Sequence, residues 1–250
     1  MLPPCSIFFH NYYGSHESWM NYFTKNLTFS ANLYYNMVED SMYNRDPVES
    51  SFFNQYQPAS NDSVKKLVVR QSSNKGKDIG GKLVLLDAFQ RLDMQTKYGL
   101  FLHDKKSPYK VNSTTWAKNL FTIATPPLSQ LALQYFEDNP RVGIVAAKGS
   151  ITDDYDYEEK SFKTNNRLLL PVLLDQFAIK PASFQYVAGT MFWFRMTPVN
   201  LFFEKHAPLK IREMLEQGNV MDEYKGTNTH SWERLLCWII TGQNYTIKTI

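Results

Sequence analysis

The chain is poor in sulfur: Cys5 and Cys237 are its two cysteines, near opposite ends of 250 residues. That excludes a disulfide framework and a cysteine-based zinc site, and a reducing compartment is the expectation. Long apolar runs are also missing. Nothing approaches the roughly 18 to 20 residues of a membrane span, and Met-Leu-Pro-Pro at the start lacks the charged and apolar regions of a secretion signal. A soluble cytoplasmic protein is expected, and the sequons at Asn26, Asn61, Asn112 and Asn244 are then chance matches. Charge of one sign is lacking too, with 27 basic against 24 acidic residues and a net +3, which argues against nucleic acid or membrane held by bulk charge. There is no Gly-x-x-x-x-Gly-Lys-Ser/Thr loop, no Gly-x-Ser-x-Gly elbow and no His-Glu-x-x-His helix. Phosphate-loop NTPases, serine hydrolases of the elbow type and zincins lose support.

Aromatics are abundant at 15% and the hydrophobic fraction is 43%, which requires a packed core. Flat rings with polar edges also suit sugar and nucleobase binding, although core packing accounts for most of them. Short apolar runs of strand length stand at Ser6 to His10, Ala31 to Val38, Lys66 to Arg70, Tyr98 to Leu102 and Val142 to Ala147. Helical stretches lie at Glu17 to Lys25, Lys82 to Met94, Leu128 to Asp138, Pro208 to Gln217 and Trp232 to Ile240. Phe184 to Arg195 reads as one strand broken by Gly189, and Asp153 to Glu159 as a solvated acidic loop. The polar stretch from Glu39 to Ser63 is expected to be the mobile part. Strands alternating with helices specify an α/β fold, a mainly parallel central sheet flanked by helices, with ligands gathered at the carboxyl ends of the strands.

Three clusters fall at such positions. Asn74 to Gly81 packs Lys75, Lys77, Asp78 and the glycines Gly76, Gly80 and Gly81 between a strand and a helix. Amides that approach through glycine, with lysines to neutralise charge, would suit a diphosphate at a helix N-terminus; a solvated glycine turn capped by Asp78 is the alternative. His103-Asp104-Lys105-Lys106-Ser107 closes a strand, where Asp104 could hold a metal or the lysines could replace one; a plain surface cluster is the alternative. In the third cluster Glu233 follows His230 by three residues, so both share a helix face next to Arg234. That suits a positioned base, or else a capping box.

Taken together, Gly76-Lys77-Asp78-Ile79-Gly80, His103-x-Lys105-Lys106-Ser107, Ala188-Gly189-Thr190-Met191-Phe192-Trp193-Phe194-Arg195 and His230-x-x-Glu233-Arg234-Leu235 resemble, in order and spacing, the rhamnan-synthesis F family of bacterial polysaccharide glycosyltransferases. The resemblance runs from about residue 6 to the C-terminus. It implies a single GT-A-like domain over 1–250, with a nucleotide-sugar-binding half over about 1–110 and an acceptor-binding, catalytic half over about 111–250. Lys77 stands where the family has Arg, which keeps the charge and loses the bidentate fork. Lys225 stands where the family often has Asp.

The activity so implied is transfer of a sugar from a nucleotide-diphosphate sugar to a glycan hydroxyl, with inversion. His10, Tyr12, Tyr13, Lys77, Asp78, Gly80, Gly81, His103, Asp104, Lys105 and Lys106 would bind the donor, and Trp193, Arg195, His230 and Arg234 the acceptor. Glu233 is the first choice of general base, with Asp78 and Asp222 in reserve. A divalent Mn or Mg would sit at Asp104 if anywhere, and the lysines permit metal-independent chemistry. Two other readings stay open: a non-catalytic glycan-binding module of polysaccharide assembly, and a hydrolase using Asp222, Glu223 and Glu233.

Overall fold

The computed structural model describes residues 5–14, 16–39, 63–92, 95–104, 113–222 and 225–250. Most of the long polar stretch, together with Lys105, Lys106 and Glu223, lies outside them.

The first strand, β1 (Cys5–Asn11), is buried at every residue, as a strand covered on both faces must be. It pairs in parallel with β2 (Ala31–Val38) and with β4 (Tyr98–His103), while β3 (Val64–Ser72) extends the sheet beyond β2. On the other side, β10 (Phe192–Arg195) runs antiparallel between β4 and β5 (Val142–Ala146), and β11 (Thr246–Thr249) closes the edge parallel to β5. The seven-stranded sheet has the order β11-β5-β10-β4-β1-β2-β3. Only β10 reverses direction among these strands, so the expected mainly parallel sheet flanked by helices is what the chain forms.

Alternation along each strand divides the core between the two faces. Phe8, Tyr34 and Phe101 point to one face, where α2 (Lys77–Arg91) brings Leu83 and Leu86 and α8 (Asn228–Thr241) brings Trp232 and Leu235. Ile7, Phe9, Leu33 and Leu100 point to the other, against Phe23 of α1 (His16–Asn26) and Leu133 of α4 (Pro126–Asp138). The remaining helices are α3 (Ser113–Phe121), α5 (Leu169–Gln176), α6 (Met196–Phe203) and α7 (Pro208–Glu213).

Three local expectations are corrected. The helix expected from Lys82 begins five residues earlier, at Lys77, because Ile79 continues the apolar stripe one turn upstream across a glycine pair that reads as a loop signal. The stretch Phe184 to Arg195 is not one strand. β9 (Gln185–Val187) pairs with β6 (Ile151–Asp153) in a separate small sheet, β7 (Tyr155–Asp156) pairs with β8 (Ser161–Phe162) in another, and Gly189 at φ 83° with Thr190 at φ 48° turns the chain into β10. The acidic loop is only partly solvated, since Asp154 is 1% exposed.

The glycine pair serves close packing. A Cβ on Gly80 would stand 1.7 Å from the Lys75 carbonyl oxygen, and one on Gly81 would stand 1.9 Å from the His10 ring. Alanine at residue 80 gains about 1 kcal/mol of helix propensity but collides with backbone that has no rotamer to escape into. Gly80→Ala is therefore expected to be net destabilised by about 1–3 kcal/mol; a urea midpoint at or above that of the parent would contradict this packing.

Candidate active site at the carboxyl edge of the sheet

The register sets His10, Asn36 and His103 in one row across β2, β1 and β4, one residue before or at the carboxyl ends of β1 and β4. The strand order turns back between β1 and β4, with β2 and β3 on one side and β10 on the other. In open α/β sheets a crevice forms at this switch point.

Asp104, just past β4, shapes the loop that follows β1. Its amide donates to the His10 carbonyl at 3.1 Å, and its two carboxylate oxygens accept the amides of Tyr12 at 2.8 Å and Tyr13 at 2.6 Å. The tyrosine rings stand edge to face, half-buried, with the Tyr12 hydroxyl accepting from Asn219 at 3.1 Å. Both Asp104 oxygens therefore hold backbone. No group of three His, Cys, Asp or Glu side chains suited to a metal ion stands together among the described residues.

His10 lies beneath α2 in the space that Gly81 leaves, and its Nδ1 is 3.0 Å from Asn36 Nδ2. Burial, reinforced by Lys82 and Arg212 and opposed by Asp78, lowers its pKa to about 4.

A denser polar cluster stands above it. Lys82, 0% exposed on α2, donates to Asp78 Oδ2 at 2.7 Å, to Thr190 Oγ1, and to His103 Nδ1 at 3.3 Å. The Thr190 hydroxyl donates in turn to Asp78 Oδ2 at 2.6 Å. Burial works to raise the Asp78 carboxyl, but Lys82 and His103, with the hydrogen bonds from Lys82 and Thr190, outweigh it and hold the group well below the usual carboxylate range.

The turn that carries Thr190 also sets Glu233, whose Oε1 accepts the Gly189 amide at 2.7 Å while Oε2 lies 3.4 Å from Arg234. The Glu233 side chain is 22% exposed. One turn earlier on α8, His230 Nε2 is 3.4 Å from Lys77 Nζ, and its Nδ1 is 2.6 Å from the Thr227 hydroxyl that caps the helix. Burial and then Lys77 lower the His230 pKa. Glu216 ties the two helix starts together, because its carboxylate accepts the amides of Asn228 and Thr229 while its carbonyl accepts the Gly76 amide. Lys77, Asp78, His103, His230 and Glu233, distant in the chain, are thus gathered around the starts of α2, α8 and β10.

Other expected site residues lie elsewhere. Trp193 is 0% exposed, with its indole N–H on the Ile123 carbonyl, so neither ring face is open to a sugar. Arg195 pairs across from Tyr98 at the amino end of β4 and donates to the carbonyls of Val142 and Asn139. Both are displaced for one reason: β10 is antiparallel, so its beginning reaches the crevice and its end points away. Arg234 is buried, paired with the fully buried Asp154 at 2.7 Å and lying 4.6 Å over the Tyr186 ring, which makes it a structural ion pair rather than an exposed acceptor contact. Asp222 Oδ2 accepts from Asn166 at 2.8 Å, on the α8 side of the cluster. Gly80 and Gly81 sit buried inside α2.

Sequence reasoning missed Lys82, Thr190 and Glu216. For Lys82 a signal existed: it stands four residues after Asp78, on the same stripe as Ile79, Leu85 and Leu86, all buried, and a lysine on an apolar stripe needs a partner. Thr190 and Glu216 carry no such local mark.

Fold and site together define an open α/β protein with a polar crevice outside the carboxyl ends of its parallel strands. Within that class the chain belongs to the rhamnan synthesis protein F family, whose model matches residues 4–245. Membership places it among proteins of polysaccharide synthesis. No curated protein matches the chain. Among the described residues, no helix is long and apolar enough to cross a membrane.

The state of His10 gives an acid limb with a defined sign. Above pH 6.5 the ring is neutral folded and unfolded and contributes nothing. As pH falls below 6.5 only the unfolded chain takes the proton, until the folded ring also titrates at about 4. The loss between pH 7.5 and pH 5 is about 2 kcal/mol. His10→Gln should shrink the difference in urea stability between those two pH values by about that amount; an unchanged difference would show that burial does not hold the ring neutral.

Proposed function

We propose that this chain is a glycosyltransferase of GT-A type that moves a sugar from a nucleotide-diphosphate donor to a hydroxyl of a glycan, with inversion at the anomeric carbon. The reading is carried by one observation: Lys77 and His230, from the starts of two long helices, meet at 3.4 Å beside the partly exposed carboxylate of Glu233. Positive helix ends and a lysine suit the charge that builds on a departing diphosphate, and a carboxylate next to them suits the hydroxyl that must lose its proton.

The donor nucleoside lies against the Tyr12 and Tyr13 loop in this reading, with the diphosphate toward Lys77 and His103. Lys105 and Lys106, which follow Asp104 in the chain, keep the donor role that the resemblance implies. Glu233 is the general base. Asp78 is the poorer candidate because Lys82, His103 and Thr190 hold its carboxyl well below the usual carboxylate range, which makes it a weaker base, and Asp222 because one oxygen accepts from Asn166 and the other is buried. Single displacement follows from one base with no second carboxylate assigned as nucleophile. The Asp104 oxygens hold loop amides, so the leaving charge is assigned to lysines and helix ends rather than to a metal at Asp104.

A screen of nucleotide-diphosphate sugars by thermal shift tests the donor site. A true donor at 100 times its dissociation constant adds about 2.7 kcal/mol, whereas a glycan-binding module would respond to oligosaccharide and to no nucleotide. With the donor found, Glu233→Gln is expected to lower turnover about 100-fold or more while the donor's thermal protection persists. Near-normal turnover in that variant would move the base to Asp78 or Asp222.

A further inference from the structure

We propose that α5 and the basic run before it form a face by which the folded chain docks reversibly on a bilayer that carries anionic lipid. The inference does not rest on the transferase reading.

From Leu168 to Leu174 every residue is apolar. A helix apolar on all sides belongs inside a core, yet only half of this one is there. Leu170 and Leu173 are buried in the core on the α2 side, and Leu169 and Leu174 pack against it. Leu168 is 72% exposed and Val172 61% exposed, with Pro171 exposed between them. Leu168 and Val172 stand four residues apart and Pro171 three after Leu168, so the three share the outer face. Single apolar side chains at a surface are ordinary, whereas a contiguous row marks a contact.

The surroundings of that row select the occupant. Between Lys160 and Leu174 there are three basic residues, Lys160, Lys163 and Arg167, and no acidic one. All three are exposed, and among the described residues none pairs with a carboxylate. Arg167 stands directly before Leu168. Apolar side chains that enter the acyl boundary, beside cations that meet lipid phosphates, are the two parts of interfacial binding. The net charge of +3 is too small to hold the chain on a bilayer by itself; the attraction here is local. Glu158 and Glu159 precede the run, at the turn of the β7–β8 hairpin, so that attraction falls to Lys163 and Arg167. A second copy is the poorer occupant. Three side chains fall well short of the roughly 800 Å² per partner that a stable interface buries.

The face is also tied to the crevice. Asn166, in the turn before Leu168, donates to Asp222 at 2.8 Å, and its side-chain oxygen accepts the Thr227 amide at the cap of α8 at 2.9 Å. Docking through α5 therefore sets how the crevice faces the surface.

The test floats the full chain with phosphatidylcholine vesicles in which about a third of the lipid is phosphatidylglycerol, and with vesicles of phosphatidylcholine alone. Binding to the anionic vesicles, weakened by high salt, is expected. Leu168→Ser combined with Val172→Ser should lower the partition coefficient about tenfold or more, and Arg167→Ser alone about fivefold. All three side chains are exposed, so urea midpoints should match that of the parent. Absence of binding, equal binding to both kinds of vesicle, or binding that neither variant weakens would overturn the proposal. Sedimentation velocity without lipid tests the other occupant: a dimer that the double variant dissolves would assign the face to a second copy and likewise overturn it. Because no nucleotide sugar is present, none of these outcomes bears on the transferase reading.

Discussion

A lysine ammonium taken wholly out of water is the constraint on which the site depends. Burying one charge without a partner costs far more than a single domain can spare. Lys82 is tolerated because a carboxylate, a hydroxyl and an imidazole nitrogen surround it. Each of those groups comes from a different element: Asp78 from the first turn of α2, Thr190 from the turn before β10, His103 from the end of β4. Satisfying that one ammonium therefore clamps three elements at the carboxyl edge. Asp78 is kept ionised by the same contacts, and the Gly189–Thr190 turn is held where the Gly189 amide donates to Glu233.

The reversal of β10 is the second organising feature. In a sheet whose other six strands run one way, an antiparallel member delivers its N-terminal turn, not its C-terminal end, to the ligand side. That is why Gly189 and Thr190 belong to the site while Trp193 packs in the core and Arg195 binds carbonyls at the opposite edge. Two consecutive residues at positive φ, 83° and 48°, make the turn tight enough to place both the amide and the hydroxyl toward α2 and α8. Left-handed backbone at a residue other than glycine costs energy and persists where surrounding contacts over-determine it, as the bonds of Thr190 to Lys82 and Asp78 do here.

Much of the scaffold was legible in advance. Buried parallel strands are continuous apolar runs, and β1, β2, β4 and β5 were found close to their observed limits for that reason. The start of α2 was hidden because glycine is read locally as a breaker, whereas Gly80 and Gly81 are there to admit the Lys75 carbonyl and the His10 ring. Asp154 looked like one charge in a solvated run, and its pairing with Arg234 spans 80 residues of chain. Of the candidate site, Lys77, Asp78, His103, His230 and Glu233 were picked out by residue type at strand ends and helix starts. Lys82 is not among them, because a single lysine in an amphipathic stripe reads as a residue that reaches for water.

The amino-acid sequence by itself determined the α/β alternation, the parallel core and the short list of chemically able side chains, since periodicity and residue type are local properties. The tertiary structure alone decided which of those side chains share a crevice. Strand direction, register and helix approach are set by packing among distant segments, and it is packing that buries Lys82, turns Trp193 inward and brings Lys77 within 3.4 Å of His230.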